Sequence, residues 1–373
     1  MTRVLFWLSA WLVGYTYFCF PLIVLGRAVL RPRPHRRAPI TPPVSVVIAA
    51  RNEEDVIGAK IDNLLALDYP AEQLEIVLAS DGSEDDTVLR AGSRVHVLDL
   101  PRVGKAGALN ASASTAHGDV LVFTDANSML EPGAVRALVA PLADPDVGGV
   151  AGDQRYQVGR ESSGERGYWN VDRLLKRAES RGGNVISATG ALYAIRRELF
   201  RPPPPGVTDD FAVSTGVICQ GWRLVFAPDA VAYEAVGASA DAEFARKVRV
   251  ITRGLNGVLL RRALLDPRRY GFYALQLLSH KLLRRVMALP LIALGATGAR
   301  LARRGGVYRI ACAVEAAFLC LGGAGLLFER RRGCGRLLAL PAYFLLVNLA
   351  SLRAAWNVVS RRDIESWEPR RAP

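Results

Sequence analysis

The stretch that decides the fold is VSVVIAARNEED, Val44–Asp55. Its first seven residues, Val44–Ala50, run without a charge and are rich in β-branched side chains, as a strand buried on both faces of a parallel sheet requires. Working outward, LEIVLAS (Leu74–Ser80), VHVLDL (Val95–Leu100) and VLVFTD (Val120–Asp125) repeat the pattern. Between them Glu54–Leu67 and Lys105–Ala116 read as helices. This alternation predicts a doubly wound parallel α/β sheet from Pro43 to about Val236. Ligands of such sheets sit beyond the carboxyl ends of the strands. Asp81 and Asp125 fall at strand ends, so fold and chemistry point to one crevice.

The flanks differ in character. Val4–Gly26 holds no charged residue and is bracketed by Arg3 and Arg27. It is long enough to cross the ~30 Å hydrocarbon layer as a helix. A cleaved signal peptide is the competing reading, but the apolar core is long and no small-x-small cleavage site follows it. Residues 1–30 are therefore predicted to span the membrane. The basic, proline-broken segment 31–42, containing RPRPHRRAP, should be a linker kept on the cytoplasmic side. A catalytic domain is expected over 43–262. Residues 270–285 mix aromatic and apolar residues with His280 and Lys281, which suits an interfacial amphipathic helix. Val286–Ala302, Tyr308–Phe328 and Leu337–Val359 are candidate spans within 286–359, and 360–373 forms a basic tail. Arginines in both connecting loops leave the C-terminal orientation open.

The net charge of +13 suits an anionic partner, either nucleic acid, anionic lipid or a phosphorylated substrate. Much of the excess is arginine beside apolar runs, which membrane orientation explains. No nucleic-acid-binding motif is present, so no nucleic acid is expected. The five cysteines have no CxxC spacing, which supports neither a zinc site nor a disulfide framework.

Seven polar motifs follow the predicted elements: AARNEED (Ala49–Asp55), SDGSEDDT (Ser80–Thr87), RVGKAGALN (Arg102–Asn110), FTDANS (Phe123–Ser128), GALYAIRR (Gly190–Arg197), TDDF (Thr208–Phe211) and RKVRV (Arg246–Val250). In this order, and flanked by membrane segments, they resemble the membrane-bound bacterial members of the family 2 glycosyltransferases. SHKLLRR (Ser279–Arg285) and WEPRR (Trp367–Arg371) extend the resemblance. It implies an α/β GT-A-like (Rossmann-like) nucleotide-sugar-binding domain joined to transmembrane helices.

Glycosyl transfer must hold a nucleotide, neutralise a leaving diphosphate and deprotonate an acceptor hydroxyl. By the resemblance, Asp81 contacts the base, with Gly82 making a tight turn, and Glu53 helps hold the nucleoside. A plain helix cap is the alternative for Asp81. Lys105, opening a helix in a Gly-flanked stretch, reads as a phosphate contact or a solvated lysine. Asp125 stands where the family has a DxD metal motif, and the chain reads Asp125-Ala126-Asn127 there. Asn127 offers a carbonyl oxygen without charge, and Glu234 is a further candidate ligand for Mg2+ or Mn2+. TDDF resembles the family's T-E-D motif, which makes Asp210 the base with Asp209 beside it. Adjacent carboxylates cannot face one way in an extended chain, so one is expected to serve as base while the other caps the helix near Phe211. Arg246, Arg249 and Arg253 share a helix face. Arg249 matches the arginine of the processive members' Q-x-x-R-W and could reach the diphosphate, whereas the Gln and Trp are absent. A basic face on anionic lipid is the other reading.

Together these imply an inverting transferase in the plasma membrane, multi-pass, with its catalytic domain cytoplasmic. It would move sugar from a UDP- or GDP-linked donor to a membrane-associated lipid or glycan. A processive exopolysaccharide synthase is the alternative within the enzyme class. A silent nucleotide-binding scaffold is the alternative outside it, supported by Asn127 alone.

Overall fold

The computed structural model describes residues 1–156, 163–234, 240–332 and 336–361. The Trp367–Arg371 stretch, and the side chains of Tyr168 and Trp169, lie outside what is described.

β1 is Val44–Ala50, and all seven of its residues are buried. β2 (Leu74–Asp81) and β4 (Val120–Phe123) flank it in parallel, and β3 (His96–Leu100) extends the parallel half beyond β2. The Glu54–Leu65 helix covers this half with Ile57, Ile61 and Leu64, each fully buried. Apolar positions three and four apart form the stripe that holds a helix to a sheet.

The wholly parallel sheet expected from the sequence ends at β4. Four more strands follow: β5 (Ser128–Leu130), β6 (Val147–Tyr156), β7 (Tyr193–Arg196) and β8 (Arg223–Glu234). The sheet order is β3-β2-β1-β4-β7-β6-β8-β5. β7 runs antiparallel to both β4 and β6, and β5 antiparallel to β8. An antiparallel return needs no crossover along the sheet. SML and YAIR are also too short to carry a directional signal in sequence.

This sheet belongs to a unit built mainly from residues 28–156 and 176–234. The chain leaves β1, builds outward through β2 and β3, then returns to β4 on the other side of β1. The loops after β1, β2 and β4 therefore open at one end, where the sheet's strand order switches.

The second unit is helical. Thr2–Leu30, Gly306–Leu327 and Leu338–Val359 are long and apolar enough to cross a membrane. Phe272–Val286 and Ala288–Arg304 form a pair bent by 57°, which makes up to four spans if it counts as one. Leu277–Leu283 within it is π-helical, so the predicted interfacial segment and the first predicted C-terminal span meet in one broken element. Glycines let the last two helices approach closely: a Cβ at Gly322 would lie 2.8 Å from the Pro341 carbonyl oxygen. The Ala240–Leu260 helix, placed in the catalytic domain from sequence, groups with this unit. Its Val248, Ile251 and Leu255 pack with Ala350 and Ala354. The four cysteines among the described residues, Cys19, Cys219, Cys312 and Cys320, are free.

Candidate active site

The loops after β1 and β2 are laced together. Asn52, at a left-handed φ of 50°, donates its N–H to Ser83 Oγ (3.1 Å) and accepts from the Glu84 N–H (2.9 Å). Glu53 N donates to Thr87 Oγ1 at 2.7 Å and Glu54 N to Asp85 at 3.1 Å. Glu53 occupies the N-cap position of the Glu54–Leu65 helix and is nine-tenths buried. Gly82 has φ 60°, and a Cβ there would lie 3.0 Å from the Arg102 nitrogen. The tight turn read from the sequence is thus required both by the backbone and by its neighbour.

Asp81 is 1% exposed. Its Oδ1 accepts the N–H groups of Val103 (2.6 Å) and Gly104 (2.8 Å). It therefore caps the Gly104–Thr115 helix across the sheet, not the helix that follows it in the chain. A carboxylate at a helix N-terminus is stabilised by both hydrogen bonds and dipole. The cap also sets the position of Lys105, the second residue of that helix.

Lys105 is the hub of the site. Its Nζ lies 2.7 Å from Asp125 Oδ1 and 3.3 Å from Asp209 Oδ2, with its side chain 15% exposed. Burial works against the ammonium, but the carboxylates of Asp125 and Asp209 outweigh it and hold the pKa above the ordinary lysine value. Of the two sequence readings, the solvated lysine is excluded.

Asp125 follows β4, and its Oδ2 faces Gly190, where a Cβ would stand 2.9 Å away. Asn127 is exposed and Ser128 buried. The β5–β8 register sets Ser128 directly opposite Glu234. Glu234 accepts from Ser128 Oγ (3.2 Å) and Gln154 Nε2 (2.5 Å). The three residues proposed from sequence as cation ligands are thus carried by one turn and the strand end paired beside it. Among the described residues no group of three or more His, Cys, Asp or Glu side chains gathers as a metal site. Two carboxylates and one amide are an oxygen set that suits a hard cation only if other oxygens, such as those of a diphosphate, complete the coordination.

Thr208 is the N-cap of the Asp209–Cys219 helix, and both aspartates lie in its first turn. The expected division of roles between them is altered. Asp210 Oδ1 accepts the Phe211 N–H at 2.7 Å, so the candidate base itself satisfies one of the first-turn N–H groups. Asp209 turns instead to Lys105. Helical geometry is the reason: residues one apart point about 100° away from each other. Arg249 sits partly buried on the Ala240–Leu260 helix of the other unit. On that helix Arg246 pairs with Glu243 (2.8 Å), as does Lys247 (3.2 Å).

Two buried groups and one half-buried one at this end of the sheet were not singled out in the sequence. Lys60 is completely buried and donates to Thr124 Oγ1 (3.0 Å) and to the Ser128 carbonyl. Burial lowers its pKa to about 7, against the pull of Asp125 and Glu234. The signal was present, since Lys60 falls three residues after Ile57 on the buried face of its helix. Tyr193 is fully buried, its ring stacked on Phe123 at 4.8 Å. Burial raises its pKa, and Asp209, Asp210 and Asp125 raise it further. Gln154, the partner of Glu234, had no sequence signal.

The family described as Glycosyltransferase like family 2 matches residues 42–257, more than half of the chain. The chain belongs to glycosyltransferase family 2. As a member, it is 27% identical over 267 residues to a poly-β-1,6-N-acetyl-D-glucosamine synthase of Staphylococcus aureus (strain MSSA476). That alignment covers 67% of this chain and 63% of the relative, so the chain matches less than two thirds of the relative's length. It is 28% identical over 213 residues to the probable glycosyltransferase YdaM of Bacillus subtilis (strain 168), covering 52% of this chain and 50% of the relative. The fold is similar to that of the mannosyltransferase PcManGT of Pyrobaculum calidifontis, solved with GDP-Man and Mn2+. The TM-score is 0.72 at 25% identity, covering 96% of this chain and 99% of that one. The sheet is accordingly a GT-A-like α/β domain, and the chain is a family 2 glycosyltransferase with helices able to span a membrane.

Proposed function

We propose that this transferase moves a sugar, with inversion, from a UDP- or GDP-sugar to a lipid-linked or glycan acceptor at the plasma membrane. The observation that carries this reading is Lys105, which joins the strand-end Asp125 to Asp209 of the TDD turn. A leaving diphosphate and an attacking hydroxyl must be served from adjacent positions, and this contact makes those two elements adjacent. Glu53 and Asp81 would hold the nucleoside. Lys105 would neutralise the diphosphate, joined by Arg249 on the strength of the family resemblance alone. Asp125, Asn127 and Glu234 would hold a divalent cation, Mg2+ or Mn2+, which supplies Lewis-acid stabilisation of the leaving group. Asp210, its Oδ1 anchored to the helix N-terminus, would take the acceptor proton through Oδ2. The hydroxyl oxygen then attacks the anomeric carbon opposite the departing nucleotide diphosphate. Residues 43–262 would form the cytoplasmic catalytic region of a multi-pass protein, since the basic 31–42 linker follows the first span.

A second reading, processive exopolysaccharide synthesis, is favoured by the similarity to the staphylococcal synthase. Against it stands Arg246-Lys247-Val248-Arg249-Val250, which lacks the Gln and Trp of Q-x-x-R-W.

The test is nucleotide release from UDP-GlcNAc, UDP-Glc and GDP-Man by the protein in native membranes, with Mg2+, Mn2+ or EDTA. Cation-dependent release from one donor, lowered by about 100-fold or more in Asp210→Asn, is the expected result. Release that is equal in the variant, or absent with every donor and cation, would overturn the reading. Chain length of the product separates single transfer from processive synthesis.

A further inference from the structure

Lys60 has no place in the chemistry above, yet it is the most unusual side chain of the sheet unit. A lysine with no exposed surface is rare, because burying its charged form without an ion pair costs several kcal/mol. Apolar Ile57, Ile61 and Leu64 surround it on the same helix face, where a methionine would fill the space without that cost. Its hydrogen bonds show what the amine adds. Nζ reaches Thr124 Oγ1 at 3.0 Å and the main-chain oxygen of Ser128. These are the two ends of the five-residue turn that carries Asp125, Ala126 and Asn127. Thr124 Oγ1 in turn donates to the Ala191 carbonyl at 2.8 Å, next to the Gly190 that faces Asp125. Ser128 Oγ donates to Glu234. One buried amine thus links, directly or through one partner, the segments that bear Asp125, Asn127, Gly190 and Glu234.

We propose that Lys60 is a positioning residue of the transferase site, tying Thr124 to Ser128 from beneath and so fixing the shape of the Asp125-Ala126-Asn127 turn. The proposal rests on the transferase reading given above. Two N–H donors suffice for both bonds, so the clamp does not depend on whether the amine is charged. Its importance follows from the sparse donor set. With an amide in place of a second carboxylate, cation binding depends on correct placement of the few oxygens present. Groups that orient ligands without touching the cation commonly change affinity or activity by about 10- to 100-fold.

The test compares wild type with Lys60→Met, which keeps the volume and removes both donors, and with Thr124→Val, which keeps the shape and removes one acceptor. Each is titrated with UDP and GDP with and without Mn2+, and assayed for nucleotide release. For Lys60→Met the expected result is unchanged metal-free nucleotide binding, a Mn2+-dependent gain in affinity reduced about 10-fold or more, and kcat lowered about 10- to 100-fold. Donor KM measured with Mn2+ should rise with the lost affinity, and Thr124→Val should fall between wild type and Lys60→Met. Lys60→Met with wild-type kcat and Mn2+ response overturns the proposal and leaves the transferase reading intact. So does a loss explained wholly by a smaller folded fraction. If Lys60→Met does not fold, a wild-type response from Thr124→Val overturns it equally. A wild type inert with every donor and cation overturns the transferase reading and the proposal with it.

Discussion

Gly190 leaves the Asp125 carboxylate its room: a Cβ at position 190 would stand 2.9 Å from Asp125 Oδ2. The carboxylate cannot turn away freely, because Oδ1 is held by Lys105. Gly190→Ala should therefore displace Asp125 and lower kcat by about 10- to 100-fold, since misplacement by ~1 Å costs on that order. Overpacking should lower stability by about 1–3 kcal/mol. Steady-state kinetics beside a thermal melt checks both, and unaltered kcat would show that Asp125 needs no fixed position.

The two aspartates of TDDF should separate in their kinetics. Asp210→Asn keeps an oxygen for the Phe211 N–H but loses the proton acceptor, so kcat should fall by about 10²- to 10⁴-fold while nucleotide binding is preserved. Asp209→Asn removes a charge beside Lys105 and should act on donor binding and kcat together. The reverse pattern would assign the base to Asp209.

Asn127→Asp tests the cation reading directly. A second carboxylate on the exposed end of the turn adds a charged oxygen ligand, which should lower the Mn2+ concentration for half-maximal activity by about tenfold. EDTA should abolish release by both proteins. A variant with an unshifted Mn2+ requirement would place the cation away from Asn127.

Lys60 should also shape stability against pH. Its folded pKa of about 7 lies below the ~10.4 of an unfolded lysine. Between those values the unfolded chain binds more protons than the folded one, so unfolding free energy rises with pH across that window. The destabilising effect is complete below pH 7 and fades as pH rises. Melting temperatures measured from pH 7 to 9 should therefore climb in wild type relative to Lys60→Met. A constant difference would show that the lysine keeps its full charge in the fold.

Membership of the family and the identity of the strand ends were legible along the chain. β1 coincides with the predicted Val44–Ala50, Asp81 ends β2, Asp125 lies just past β4, and Lys105 opens a helix, each where the sequence puts it. These features are local. A buried parallel strand must be apolar throughout, and the residue at its carboxyl end must be where the chemistry is placed, so one stretch of sequence reports both. The apolar helices were legible for the same reason, because hydropathy is summed within a single segment.

What the sequence could not carry was pairing between distant segments. That Asp81 caps the helix bearing Lys105, that Lys105 turns to Asp209, and that Glu234 lies opposite Ser128 are contacts across 20 to more than 100 residues. The antiparallel course of β7 belongs with them, as does the grouping of the Ala240–Leu260 helix with the apolar helices. Lys60 states the difference most sharply. Its position on the apolar face was visible in the spacing, but its partners, Thr124 and Ser128, are more than 60 residues away. Periodicity determines which face of a helix is buried; only the assembled sheet decides what that face touches.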